Sequence, residues 1–76
     1  MDAYHFQAKS LSYRLIEHKI LKHYNLGTAS SSSLPGHLSE IDSGEYVITG
    51  TRKSLSFYLE IKKLGNGIYD LTCYPN

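Results

Sequence analysis

The residues able to do chemistry are few. Four histidines, His5, His18, His23 and His37, invite a metal or acid–base reading. His18 and His23 lie five apart, so on a helix their side chains diverge by about 140° and do not share one ion as an i,i+4 pair does. There is no CxxC and no Cys/His grouping with zinc-site spacing. Neither a metal nor a cofactor is expected. His37 stands in Leu34-Pro35-Gly36-His37-Leu38, a loop sequence of the kind that often carries catalytic residues. Metal-independent RNA cleavage needs a base, an acid and a cation to stabilise the phosphorane. His37, Arg52 and Tyr58 are the candidates for those roles, with Glu60, Lys62 and Tyr74 as further suppliers. Cys73 falls on the core side of an alternating segment and reads as a small buried hydrophobe rather than a nucleophile. Gly65-Asn66-Gly67 sits between two strand patterns and opens no helix, so it is not a phosphate loop.

Whatever these groups do, a thin scaffold must position them. The 76 residues leave room for one small domain, 1–76, which buries a smaller share of its surface than a longer one would. Hydrophobic residues at 41% and charged residues at 20% give a globular composition. No apolar run approaches the roughly 18 residues that span a bilayer. The expectation is a soluble cytoplasmic protein with no membrane partner and no cleaved signal. The single cysteine excludes an intrachain disulfide. A small core without disulfide or metal is strengthened most readily by association, so another protein or a second copy of the chain, as a homodimer, is the expected partner.

The net charge of +1 is unevenly laid out. Residues 1–25 carry Lys9, Arg14, Lys19 and Lys22 against Asp2 and Glu17, whereas residues 26–50 carry only Glu40, Asp42 and Glu45. Arg52, Lys53, Lys62 and Lys63 make the last third basic again. Nucleic-acid binders usually show a larger basic excess, which makes a nucleic acid the weaker of the two macromolecular partners.

The positioning elements are legible mainly in the last third, which reads as a three-stranded antiparallel meander from Glu45 to Pro75. In Ser54–Lys62 the residues Leu55, Phe57, Leu59 and Ile61 alternate with Ser54, Ser56, Tyr58, Glu60 and Lys62, the period of a half-buried strand. A plain two-residue loop at Asn66-Gly67 would set Ile61 opposite Thr72 and mix core with solvent positions. A three-residue loop at Gly65-Asn66-Gly67, with Gly67 left-handed, sets Ile61 against Leu71 and Leu59 against Cys73 inside, and Lys62 against Asp70, Glu60 against Thr72 and Tyr58 against Tyr74 outside. A four-residue connection at Gly50–Lys53 sets Tyr46 against Phe57 and Ile48 against Leu55, leaving Val47 and Thr49 outside.

The inner face needs a cover, and Ser10–Asn25, free of Gly and Pro, is the predicted helix, with Ser10 as N-cap and Gly27 as its stop. Tyr13, Ile16, Ile20 and Tyr24 form one apolar stripe, and Leu11 with Leu15 a second that would want its own partner. Residues 3–9 alternate Tyr4, Phe6 and Ala8 with polar residues but are assigned to the helix, with a β-α-β-β-β order as the alternative. Residues 26–44, with Ser30–Ser33 and Pro35-Gly36, read as a long flexible or functional loop.

The resulting expectation is an α+β fold, one long N-terminal helix packed on a three-stranded antiparallel sheet, acting as a non-enzymatic interaction protein of inhibitor, antitoxin, immunity or phage anti-defence type. Tyrosines offer large contact area at small entropic cost. The expected binding residues are therefore Tyr58, Tyr74, Thr72, Lys62 and Val47 on the outer sheet face. The rival is a small ribonuclease or toxin using His37, Arg52 and Tyr58.

Overall fold

The computed structural model describes residues 1–35 and 41–76. Its elements are β1 (Tyr4–Ala8), α1 (Tyr13–His23), β2 (Ala29–Ser32), β3 (Gly44–Gly50), β4 (Ser54–Gly65) and β5 (Ile68–Pro75). The five strands make one antiparallel sheet in the order β1-β5-β4-β3-β2, with α1 packed on one face. The α+β class stands, but the long helix and the three-stranded sheet give way to a short helix and five strands.

The meander forms in the expected register. Tyr46 pairs with Phe57 and Ile48 with Leu55, while Leu59 pairs with Cys73, Ile61 with Leu71 and Tyr58 with Tyr74. Phe57, Leu59, Ile48, Leu71 and Cys73 have no solvent exposure and form the centre of the core. The β4–β5 hairpin reaches this register by a different device from the one expected. Gly65 pairs with Ile68, so the loop is the two residues Asn66 and Gly67, at φ 54° and 73°. Positive φ at both positions is what a type I′ turn demands. A bulge between Lys63 and Gly65, with Gly65 at φ 92°, then takes up one extra residue and restores the alternation before Ile61 is reached.

Residues 4–8 are a strand and not a helical extension. The free edge of β5 accepts them, Phe6 opposite Leu71 and Ala8 opposite Tyr69, and the alternation puts Phe6 and Ala8 into the core. Pairing along a whole strand edge outweighs the weak local preference of so short a segment. On the other side, β2 forms inside the segment expected to be a loop. Its sequence, Ala-Ser-Ser-Ser, has no hydrophobic period, and β3 supplies the template through Ser31–Thr49 and Ser32–Ile48 pairs. Leu34 and Ile41, on either side of residues 36–40, are buried in the same core. His37 lies outside the described residues.

The helix is eleven residues long and starts after Ser12, whose side chain makes no capping bond; Ser10 is not the cap. It ends in a Schellman arrangement: Leu26 N–H donates to the Leu21 carbonyl at 2.9 Å and Asn25 N–H to that of Lys22 at 3.3 Å, with Asn25 left-handed at φ 56°. Asn25, not Gly27, is thus the stop. Ile16, Ile20, Leu21 and Tyr24 are buried. The second apolar stripe does not exist as an exposed surface. Leu11 precedes the helix and drops into the core, and Leu15 packs against the core's edge.

Chain leaving the helix crosses tightly over the β3–β4 turn. Arg52 N–H donates to the Leu26 carbonyl at 2.8 Å and Thr51 N–H to that of Thr28 at 2.9 Å. A Cβ added at Gly50 would sit 2.2 Å from the Leu26 oxygen, so only glycine permits this approach. The crossing fixes Arg52 beside the end of α1.

Candidate functional site

With α1 occupying one face of the sheet, no described element covers the other. Alternation along β4 points Ser54, Ser56, Tyr58, Glu60 and Lys62 outward, and the pairing registers bring Val47, Thr49, Thr72 and Tyr74 beside them. Tyr58 lies directly opposite Tyr74. Val47 faces Ser56, two residues along, which makes it the diagonal neighbour of Tyr58. Val47, Tyr58 and Tyr74 are 42%, 37% and 43% exposed, three of the five large hydrophobic side chains left open among the described residues. Here they form one patch. Thr72 and Lys62 flank it, so the five predicted binding residues share a face.

Strand β1, expected only as the alternative, and strand β2, not expected at all, extend that face. β1 adds His5 opposite Thr72 and Gln7 opposite Asp70. Beyond β3, the Ser33 hydroxyl accepts the Val47 N–H at 2.8 Å, and Ser31 stands against Thr49. The hydroxyls are partly self-satisfied: Ser54 Oγ donates to Thr49 Oγ1 at 3.0 Å. Charges are too. His5 Nε2 contacts Asp70 Oδ1, Lys62 Nζ lies 3.7 Å from Glu60 Oε1, and Asn76 Nδ2 donates to Glu45 Oε2 at 3.0 Å. Three carboxylates, Glu45, Glu60 and Asp70, against the one lysine give this face a net negative charge, which suits a protein surface and repels phosphate.

Of the rival catalytic set, His37 lies outside the described residues, and Arg52 and Tyr58 stand on different sides of the sheet. Arg52 lines an open groove beside α1. Tyr58 lies four residues into β4 on the outer face, about 13 Å along the strand from its start. Cys73 has no exposure, and burial pushes its thiol up from 9.0 to about 11, against a smaller lowering from the nearby Tyr24 hydroxyl. It is an inert core residue at neutral pH. Tyr24 is raised as well, chiefly by burial and then by Cys73, while its hydroxyl donates to the Asp2 carbonyl at 2.7 Å. No group of three or more His, Cys, Asp or Glu among the described residues is placed to hold a metal ion. None of the described helices is long and apolar enough to cross a membrane.

A second open surface follows the outward side of α1. Arg14, His18 and Lys22, at i, i+4 and i+8, line a groove of about 560 Å³ with Glu17, Asn25, Thr28 and Arg52. The helical part of this cluster was readable from its spacing, since i,i+4 residues share a helix face. The contribution of Arg52 was not, because it depends on the chain crossing at Gly50. No family model, curated protein or solved structure matches the chain.

Proposed function

We propose that this chain is a non-enzymatic protein-binding module, of the inhibitor, antitoxin, immunity or anti-defence kind, whose partner seats on the outer face of the sheet. The observation that supports it is the contiguous Val47–Tyr58–Tyr74 patch on a sheet face that no described element covers. Aromatic residues of this kind dominate binding energy where a partner excludes water from them, each contributing about 2 kcal/mol or more at the centre of an interface. The surrounding Thr72, Thr49, Ser54 and Ser56 supply the polar rim, and the carboxylates favour a partner with a basic margin. A second copy of the chain is the alternative occupant.

The test is affinity capture from host extract with wild-type protein and with the double variant Tyr58→Ser/Tyr74→Ser, beside molar mass by light scattering. Wild type retains a discrete partner, or self-associates, and the double variant does neither while keeping its thermal transition. Equal partner recovery together with equal mass for both proteins overturns the assignment of this face. Incubation with total RNA leaves the RNA intact; cleavage would overturn the non-enzymatic reading.

A further inference from the structure

Positive charge is concentrated on the side of the molecule opposite the tyrosine patch. The 560 Å³ groove runs into a second hollow of about 440 Å³ lined by Tyr4, His18, Lys19, Lys22 and His23, the two sharing His18 and Lys22. Together they present four permanent cations, Arg14, Lys19, Lys22 and Arg52, against the single carboxylate of Glu17. None of the four makes an ion pair among the described residues, whose pairs are His5–Asp70 and Lys62–Glu60. Arg14 and Lys22 are eight residues apart, so the charge runs about 12 Å along the helix. At one end stands an aromatic step. The exposed His23 ring lies on Tyr4 with centroids 3.8 Å apart and planes 8° from parallel. Tyr4 backs one face of the imidazole and Tyr24 stands edge-on to it with centroids 4.7 Å apart, while His23 as a whole stays exposed to a ligand.

Cations in a row beside an exposed stacked ring are the two components of single-strand recognition: charge tracks the phosphates, and rings accept bases without regard to sequence. An acidic peptide would use the cations but offers a planar group for the step only where it carries an aromatic residue, whereas every nucleotide brings a base. We infer that the outward side of α1 binds single-stranded nucleic acid, with Arg14, Lys22 and Arg52 on the phosphates and a base stacked on His23. The site is independent of the sheet face.

The probe is a fluorescein-labelled oligouridine about 12 nucleotides long, titrated by anisotropy at about 50 and about 200 mM salt. Three phosphate contacts predict a slope of log K on log salt of about −2, so that the fourfold rise in salt weakens binding about eighteenfold. Arg52→Ala brings the slope to about −1.4 and the salt effect to about sevenfold. His23→Ala weakens binding about fivefold, the lower end of a lost base stack, without altering the slope. The Tyr58→Ser/Tyr74→Ser variant binds the strand as wild type does. Circular dichroism confirms that each variant is folded. Absence of binding at low salt overturns the inference, as does an unchanged slope in Arg52→Ala. Polyglutamate binding as tightly as the oligonucleotide would overturn it in favour of an acidic protein partner.

Discussion

Strand β4 carries two surfaces that share a backbone and nothing else. On one side Leu55, Phe57 and Leu59 are 6%, 0% and 0% exposed and hold the core together; on the other, Ser54, Ser56 and Tyr58 stand open. Side chains that alternate by one residue therefore answer to different constraints. The inner series is fixed by close packing against α1 and its neighbours, where a lost methylene is felt. The outer series makes only surface contacts, such as the Ser54–Thr49 hydroxyl bond and the Tyr58–Tyr74 pairing, and close packing does not dictate its side chains. In a small domain this separation has a practical result, since outward residues can vary at little cost to the fold.

Adjacent substitutions give the sharpest contrast. Phe57→Ala empties the most buried aromatic position and should cost about 3–5 kcal/mol. The whole chain has about 4–11 kcal/mol of stability to lose, so this variant should be largely unfolded or close to it. Tyr58→Ala should cost less than about 1 kcal/mol, as expected for an exposed position. Urea unfolding followed by circular dichroism measures both. Losses of similar size would abolish the distinction between the two faces.

That distinction was legible in the sequence because period-two alternation writes it directly, and the outward set of Val47, Tyr58, Lys62, Thr72 and Tyr74 follows from it. The registers were legible because only one of them keeps Ile61, Leu59, Leu71 and Cys73 on the same side. The means was not, since a bulge beside a two-residue turn and a three-residue loop displace the register equally. β2 left no trace, because Ser30–Ser32 become a strand only where β3 offers its edge. β1 left an ambiguous one, five residues being too few to outweigh helix propensity. The helix is shorter than its sequence pattern predicts for a related reason. Leu11 is as apolar as a helix-face residue, but its burial comes from the turn into α1 and not from the helical wheel. The rest of the groove lining required the crossing over Gly50, a tertiary fact without local signature.

Cys73 sharpens the comparison from the inner side. Its thiol is held up from 9.0 to about 11, mainly by burial, so the folded chain keeps the proton over a range in which the unfolded chain releases it. Fewer protons bound in the unfolded state means that stability falls as pH rises, and the decline should run from about pH 9 to about pH 11. Tyr24 is shifted in the same sense, but its contribution sets in only above its ordinary value of 10.0. The urea midpoint should therefore drop between about pH 9 and about pH 11, and Cys73→Ala should remove most of the decline below about pH 10. Ellman's reagent should react with native protein near pH 8 only at the rate of unfolding. Prompt labelling of the native chain would place Cys73 on an accessible surface and contradict its assignment to the core.

The smallest effect belongs to the outer face. Asp70 meets His5 across the β1–β5 pair and stands opposite Lys62 across β4–β5, so on paper it ties three strands together. Its side chain and that of His5 remain 23% and 55% exposed, however, and water competes for both. Ion pairs in such settings contribute about 0–1 kcal/mol. What docks β1 is instead the entry of Phe6 and Ala8 into the core, at 7% exposure each, together with the ladder to β5. Asp70→Asn should accordingly lower stability by less than about 1 kcal/mol, with little dependence on salt beyond that of wild type. Phe6→Ala should cost several times more, about 3 kcal/mol. If Asp70→Asn proved as damaging as Phe6→Ala, the polar face would be holding the sheet together, and the tyrosines beside it would owe their positions to the fold rather than to a partner.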